Sequence, residues 1–191
     1  MKITKFSDKM RNERTAIYLP ELFEELEKLE TIEERANTIK EYYEKKNSNV
    51  LGAYLAALYH PDVVLDLPET VPPYDNTQYV DYDMAPLRLE KAIGRLGYFF
   101  APHSTHIKNK IKREAVFIQT LESLHKKDAE LYESILLKRY PIHRYPKSGL
   151  ALFMFSLPQY FTEINQDYIK EVLAAEKKLR PKTKSTENLD G

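Results

Sequence analysis

Cysteine is absent from the 191 residues, which excludes disulfide frameworks, thiolate metal sites and cysteine nucleophiles together and fits a reducing cytosol. Glycine is scarce. The five glycines are scattered, and none opens a G-x-x-x-x-G-K phosphate loop or a nucleophile elbow. No apolar run approaches the roughly 20 residues that cross a bilayer. The start, MKITKFSDKMRNER, has no apolar block behind its positive charges, so the expectation is a soluble chain that is not secreted and has no membrane partner. Net charge is missing as well, since 29 basic side chains face 29 acidic ones. Tight non-specific duplex binding draws on counterion release at several phosphates, and a neutral chain is poorly suited to it.

What the chain does have is charge unevenly spread. Residues 1–16 carry five basic and two acidic groups, residues 17–100 eight and sixteen, and residues 101–147 ten and five. A basic segment of this kind can serve a weak or structure-selective contact with an anionic partner. The plainer alternative is a solvated surface.

With 42% hydrophobic side chains, the chain is long enough for one domain with its own core. The pattern is helical throughout. The expected fold is all-α, a single compact domain of about eight helices with a long proline-rich loop. A mobile basic arm covers 1–16, the helical domain 17–161, a C-terminal helix 162–179 and a disordered tail 180–191. Residues 111–137 form the centre of this scheme, a helical hairpin. Ile111, Ala115, Ile118 and Leu121 recur at helical spacing, widened by Phe117 and Leu124; Asp128 stands where an N-cap belongs, and Leu131, Ile135 and Leu136 supply the second inward face.

Other helix signals flank it. Pro20 suits a first turn followed by Leu22, Leu26 and Leu29. Thr31 and Glu34 form a capping box ahead of Ile32, Ala36, Ile39 and Tyr43. Asn47, Ser48 and Asn49 break the chain before GAYLAALY, which must stop near His60 because Pro61 follows. Residues 61–83 have no helical period. They suggest a short extended piece at Val63 to Leu67 and a stiff path at Pro68, Pro72 and Pro73. Asp83 is positioned to cap a helix through Leu89, Ile93, Leu96 and Phe100 that ends at Pro102, with Gly94 and Gly97 marking a close helix crossing. LALFMFSL reads as an apolar helix stopped by Pro158, and Thr162 as the cap of a last helix with Ile164, Tyr168 and Val172 on one side.

No catalytic constellation emerges. His103 and His106 stand at H-x-x-H spacing without a third or fourth ligand, so no metal and no cofactor is expected, and structural or surface roles are assigned to both. Asp81 and Asp83 could hold a hard cation in principle, but one is better used as a cap. Glu114 projects among apolar positions and calls for a partner, with Arg88 or Arg95 as the candidates for a structural ion pair.

The segment order resembles a family of proteins from tailed phages of the T-even type. It is carried over roughly residues 22–161 by the LPExxPPY string at 67–74 and the REAxFIQxLESLxxxDAELY string at 113–132. The connector RYPIHRYPKSG departs from that family's lysine-rich link. More distantly, YHPDVVLDLP after the third helix, a D-x-E-x-Y helix and a turn before an aromatic, proline-containing segment are similar to the helical N-terminal DNA-binding domain of phage ATP-dependent DNA ligases. Those ligases take the adenylate on the lysine of a K-x-D-G motif, whereas this chain has NLDG with no lysine two places before the aspartate. The resemblance therefore implies a docking module without the enzyme, acting in the cytoplasm of an infected cell.

Two readings follow. One is a non-catalytic accessory protein that binds nicked or duplex DNA, or a replication partner such as a sliding clamp, with phosphate contacts from Lys108, Lys110, Lys112, Arg113, Lys126, Lys127, Lys138, Arg139, Arg144 and Lys147. The other is an interaction or assembly factor that holds a host or phage protein through the acidic half, the proline loop or the tyrosine-rich surface.

Overall fold

A computed structural model of the protein describes residues 18–46, 49–101 and 103–181. The expected basic arm, the break at Asn47 and Ser48, the stop at Pro102 and nearly all of the expected tail lie outside the described residues. Within them are eight α-helices: α1 Leu19–Lys28, α2 Ile32–Lys46, α3 Asn49–Tyr59, α4 Leu89–Ile93, α5 Lys110–Glu122, α6 Lys126–Leu136, α7 Leu150–Ser156 and α8 Gln166–Leu179. Single 3-10 turns sit at Tyr82–Met84, Leu96–Tyr98 and Pro158–Tyr160. The described residues form no sheet, only an isolated bridge between Leu87 and Leu124. The expected all-α architecture is what the chain adopts.

Phe23 on α1 is completely buried and shows how the core is filled. Its ring meets Tyr54 of α3, Phe153 of α7 and the connector residues Tyr140 and Tyr145, with centroids 5.0–6.2 Å away. Tilted and edge-on contacts of this kind suit the aromatic quadrupole, and truncating such a residue to alanine typically costs about 3–5 kcal/mol. The α2 helix packs chiefly on α7, and α8 closes over α7. The α6 helix touches α1, α3, α4 and α5, which makes it the hub of the domain.

Several local signals hold. Pro20 lies in the first turn of α1. The Thr31 and Glu34 capping box forms as a reciprocal pair, at 3.1 and 3.2 Å. The α3 helix ends at Tyr59, and α7 at Ser156 before Pro158.

Others are displaced. Ile111 is 80% exposed, and Ala115 also faces out. The inward face of α5 is Arg113, Phe117, Thr120 and Leu121, followed by Leu124. His125, not Asp128, caps α6, its Nδ1 accepting from Lys127 N–H at 3.3 Å. Asn165, not Thr162, caps α8. Arg88 occupies the N-cap position of α4, and Asp83 instead accepts hydrogen bonds from Tyr18 Oη and Arg88. The α4 helix is also shorter than expected, because the chain tightens into a 3-10 turn beyond Gly94. Gly97 does mark a close approach, but to a loop and not to a helix: a Cβ there would stand 2.5 Å from the His103 ring. Gly149 has φ +151 and sits against Glu176, which is where a glycine is required.

Candidate nucleic-acid interface

The ten basic residues of 108–147 separate in the fold into those that face inward and those that face solvent. Arg113 is 4% exposed. Its guanidinium donates to the carbonyls of Asp66 at 2.5 Å and Ile107 at 2.6 Å, and pairs with the Asp66 carboxylate at 2.8 Å. It is a rivet between α5 and two loops. Lys138 is held in a left-handed conformation, φ 47, and its Nζ donates to the carbonyls of Ala57 at 2.6 Å and His60 at 3.1 Å. Both carbonyls lie at the end of α3, and that of His60 also accepts from Val63 N–H at 3.2 Å, so Lys138 caps that helix from outside it. Burial pushes its ammonium pKa down to about 8. Lys147 does the same for α1, donating to Glu27 O at 2.8 Å and Leu29 O at 3.1 Å.

Two more residues are tied by ion pairs, Lys127 to Glu24 and Arg144 to Glu130. That leaves Lys108, Lys110, Lys112, Lys126 and Arg139 facing solvent. Lys108, Lys110 and Lys112 stand together where α5 begins, at the positive end of its peptide dipoles. Lys126 stands at the start of α6. Arg139 lines a separate hollow of about 230 Å³ with Glu130, Glu133 and His143.

The expected partners of Glu114 are corrected by the structure. Its nearest cation is Lys110, one turn back, at 3.8 Å. Arg88 is engaged with Asp83 at 2.8 Å and lies over the Tyr18 ring. Arg95 is exposed and lines a hollow of about 260 Å³ with Tyr98, Val116 and Gln119. Lys112, Val116 and Gln119 follow one another at helical spacing, so Lys112 leads into that hollow along the same face of α5. The N–H of Ile107 donates to Tyr98 O at 3.0 Å, which ties the Lys108 segment to its rim. Tyr98 is thus brought beside the Lys108 segment, whereas Arg95 faces the later turns of α5. The run of lysines is visible in the sequence, but nothing in the spacing of residue 98 reveals its place next to them.

The histidines take structural roles. His106 bonds Asp66 at 3.1 Å, and His103 bonds Thr105 at 2.8 Å. The described residues contain no group of three or more His, Asp or Glu that could hold a metal, and no helix among them is long and apolar enough to cross a membrane. Tyr74 of the P-P-Y string donates its hydroxyl to Glu133, which pins the proline-rich segment to α6.

Fold and surface together define an all-helical domain in which several interior charges cap helices and one end of α5 presents solvent-facing cations. The chain belongs to a family of unknown function, DUF6433, whose profile matches residues 23–139. No curated protein and no solved structure matches it.

Proposed function

We propose that the protein is a non-catalytic accessory factor of a phage-infected cell that binds nucleic acid by its backbone, alone or alongside a replication protein such as a sliding clamp. The observation that carries this reading is the group of solvent-facing lysines Lys108, Lys110 and Lys112 at the N-terminal end of α5, with Tyr98 tied to the Lys108 segment through the Ile107 N–H. Lysines supply phosphate contacts without sequence information. A half-exposed tyrosine ring beside them offers a stacking platform to an unpaired base. Single-stranded DNA is accordingly the preferred form over intact or nicked duplex.

Fluorescence anisotropy across a salt series tests this. Affinity should fall linearly in log salt, and the triple variant Lys108→Glu, Lys110→Glu, Lys112→Glu should lose at least roughly tenfold in affinity, with a slope shallower by about two. Arg113→Glu is the wrong test, because it would break a rivet of the fold. Failure to bind all three DNA forms at low salt would remove the reading.

A second reading, a protein-interaction factor, is favoured by the outward apolar positions Ile111 and Ala115, continued by the half-buried Ile118, with lysines at their N-terminal end. An acidic amphipathic segment suits it, and such binding would persist in salt and be lost in Ile111→Asp.

A further inference from the structure

Between the proline-rich segment and the first turn of α6 lies a second basic locus, a cleft of about 450 Å³ whose walls include Asn76, Thr77, Lys126, Lys127, Arg144 and Glu130. Three cations converge there. Glu130 is the single carboxylate in the lining and is matched to Arg144. Lys127 is matched from outside the cleft by Glu24. Lys126 is exposed and has no acidic partner among the described residues. The positive end of the α6 dipoles points the same way.

A second, independent observation concerns Asn76. It is only 8% exposed, and its Nδ2 has no hydrogen-bond partner. A buried donor without an acceptor carries a desolvation cost with nothing in return, and such groups are rare in folded proteins. The Asn76 position is itself held: Asp75 accepts from Thr77 N at 2.9 Å and Thr77 Oγ1 at 2.7 Å, fixing the turn around it. On the opposite wall, His125 is not a cation. Its Nδ1 accepts from Lys127 N–H, so the ring proton sits on Nε2 and is shared with Val80 O at 3.3 Å.

We infer that this cleft binds a phosphate monoester, through Lys126, Lys127, Arg144 and the amide of Asn76. A phosphate monoester carries close to two negative charges on three terminal oxygens, which suits two ammoniums, a guanidinium and an amide donor better than the single charge of a carboxylate. The monoester belongs either to a free nucleotide-like molecule or to the phosphorylated end of a nucleic-acid strand. The site uses none of Lys108, Lys110 and Lys112, so it stands or falls separately from the α5 surface.

Amide chemical shifts of the full chain titrated with inorganic phosphate provide the test. Saturable shifts are expected at Asn76, Thr77, Lys126 and Lys127. Asn76→Ala should weaken binding by at least roughly tenfold while leaving the melting temperature equal or higher, because it removes the unpaired donor. Lys126→Ala, an exposed change that spares the fold, should weaken binding in the same direction.

The source is separated in the triple Lys108/Lys110/Lys112→Glu background. Tighter binding of a 5′-phosphorylated oligonucleotide than of its unphosphorylated twin assigns strand ends, whereas equal occupancy by a nucleoside monophosphate with no gain from the strand assigns free monoesters. Shifts that spread over all surface lysines without saturation overturn the site. So does an Asn76→Ala variant that melts lower yet binds phosphate unchanged.

Discussion

At the residue scale, Asp128 shows how a buried charge is used here. It is 2% exposed, and its carboxylate accepts from Leu89 N–H at 3.3 Å, so it caps α4 from its place on α6. Burial pushes its pKa from 3.8 up to about 6, with Arg88 pulling the other way. The folded state therefore holds a proton that the unfolded chain has already released between those two values. Stability falls as pH rises through that window and is level above it. Asp128→Asn keeps an acceptor for Leu89 and loses the titration. Its stability relative to the native chain should rise by about 2–3 kcal/mol between pH 4 and pH 7, measured by urea unfolding at each pH. A difference that does not change with pH would refute the assignment. Glu176 is the parallel case. It is 5% exposed, accepts from Leu150 N–H at 2.9 Å and from Tyr59 Oη at 2.8 Å, and so caps α7 from α8.

At the scale of elements, these contacts recur as a device: short helices whose ends are closed by side chains from elsewhere in the chain. An α-helix leaves four N–H and four C=O groups unpaired, and in helices as short as α4 and α7 those are most of the groups present. Lys138 and Lys147 close the C-terminal ends of α3 and α1 in the same way. Lys138→Met keeps most of the stem and loses the donor, so it should cost roughly 1–2 kcal/mol and raise amide exchange in the last turn of α3 before other helices. Exchange that rises evenly across the domain would instead show that Lys138 acts on global packing. The α5 helix illustrates the opposite outcome, in which the first members of a stripe with the right period, Ile111 and Ala115, face solvent. Its rotation is decided by Arg113, whose guanidinium reaches four acceptors in two loops, and by Phe117, which stacks on Tyr132 with centroids 5.6 Å apart.

At the scale of the molecule, some of the acidic groups of the first half are partnered by basic groups of the second. Glu24 meets Lys127, Glu27 accepts from Lys147 N–H, and Asp66 meets Arg113. Part of the charge asymmetry along the chain is thus neutralised in space, and only part of the basic segment remains for a ligand. Because these ties are short and mostly part-buried, salt screens them weakly. The unfolding midpoint in urea should move little between 50 and 500 mM NaCl, while nucleic-acid affinity at the α5 surface should drop by orders of magnitude over the same range. A fall in both together would mean that the surface charges hold the fold and are not free for a ligand.

The amino-acid sequence alone determined the all-α class, the Thr31 capping box, the stops before Pro61 and Pro158, and the helical periods of α1 and α6; that of α2 holds for Ala36, Ile39 and Tyr43 but not for Ile32, which is 57% exposed in the first turn. Each is a property of neighbours three or four residues apart, or of one residue's own backbone limits. The candidate surface was half legible. The lysines of 108–112 can be read from a local run, whereas Tyr98 joins them only through a chain reversal. Only the tertiary structure decided which cations are free, since a lysine that caps a distant helix looks in sequence like one that waits for a phosphate. It also decided that Asp128 serves α4 and not its own helix, and that Ile111 faces out. The physical reason is the same in each instance. An unpaired backbone group or a buried charge takes whichever partner the fold brings near, and sequence spacing says nothing about a partner 39 or 81 residues away.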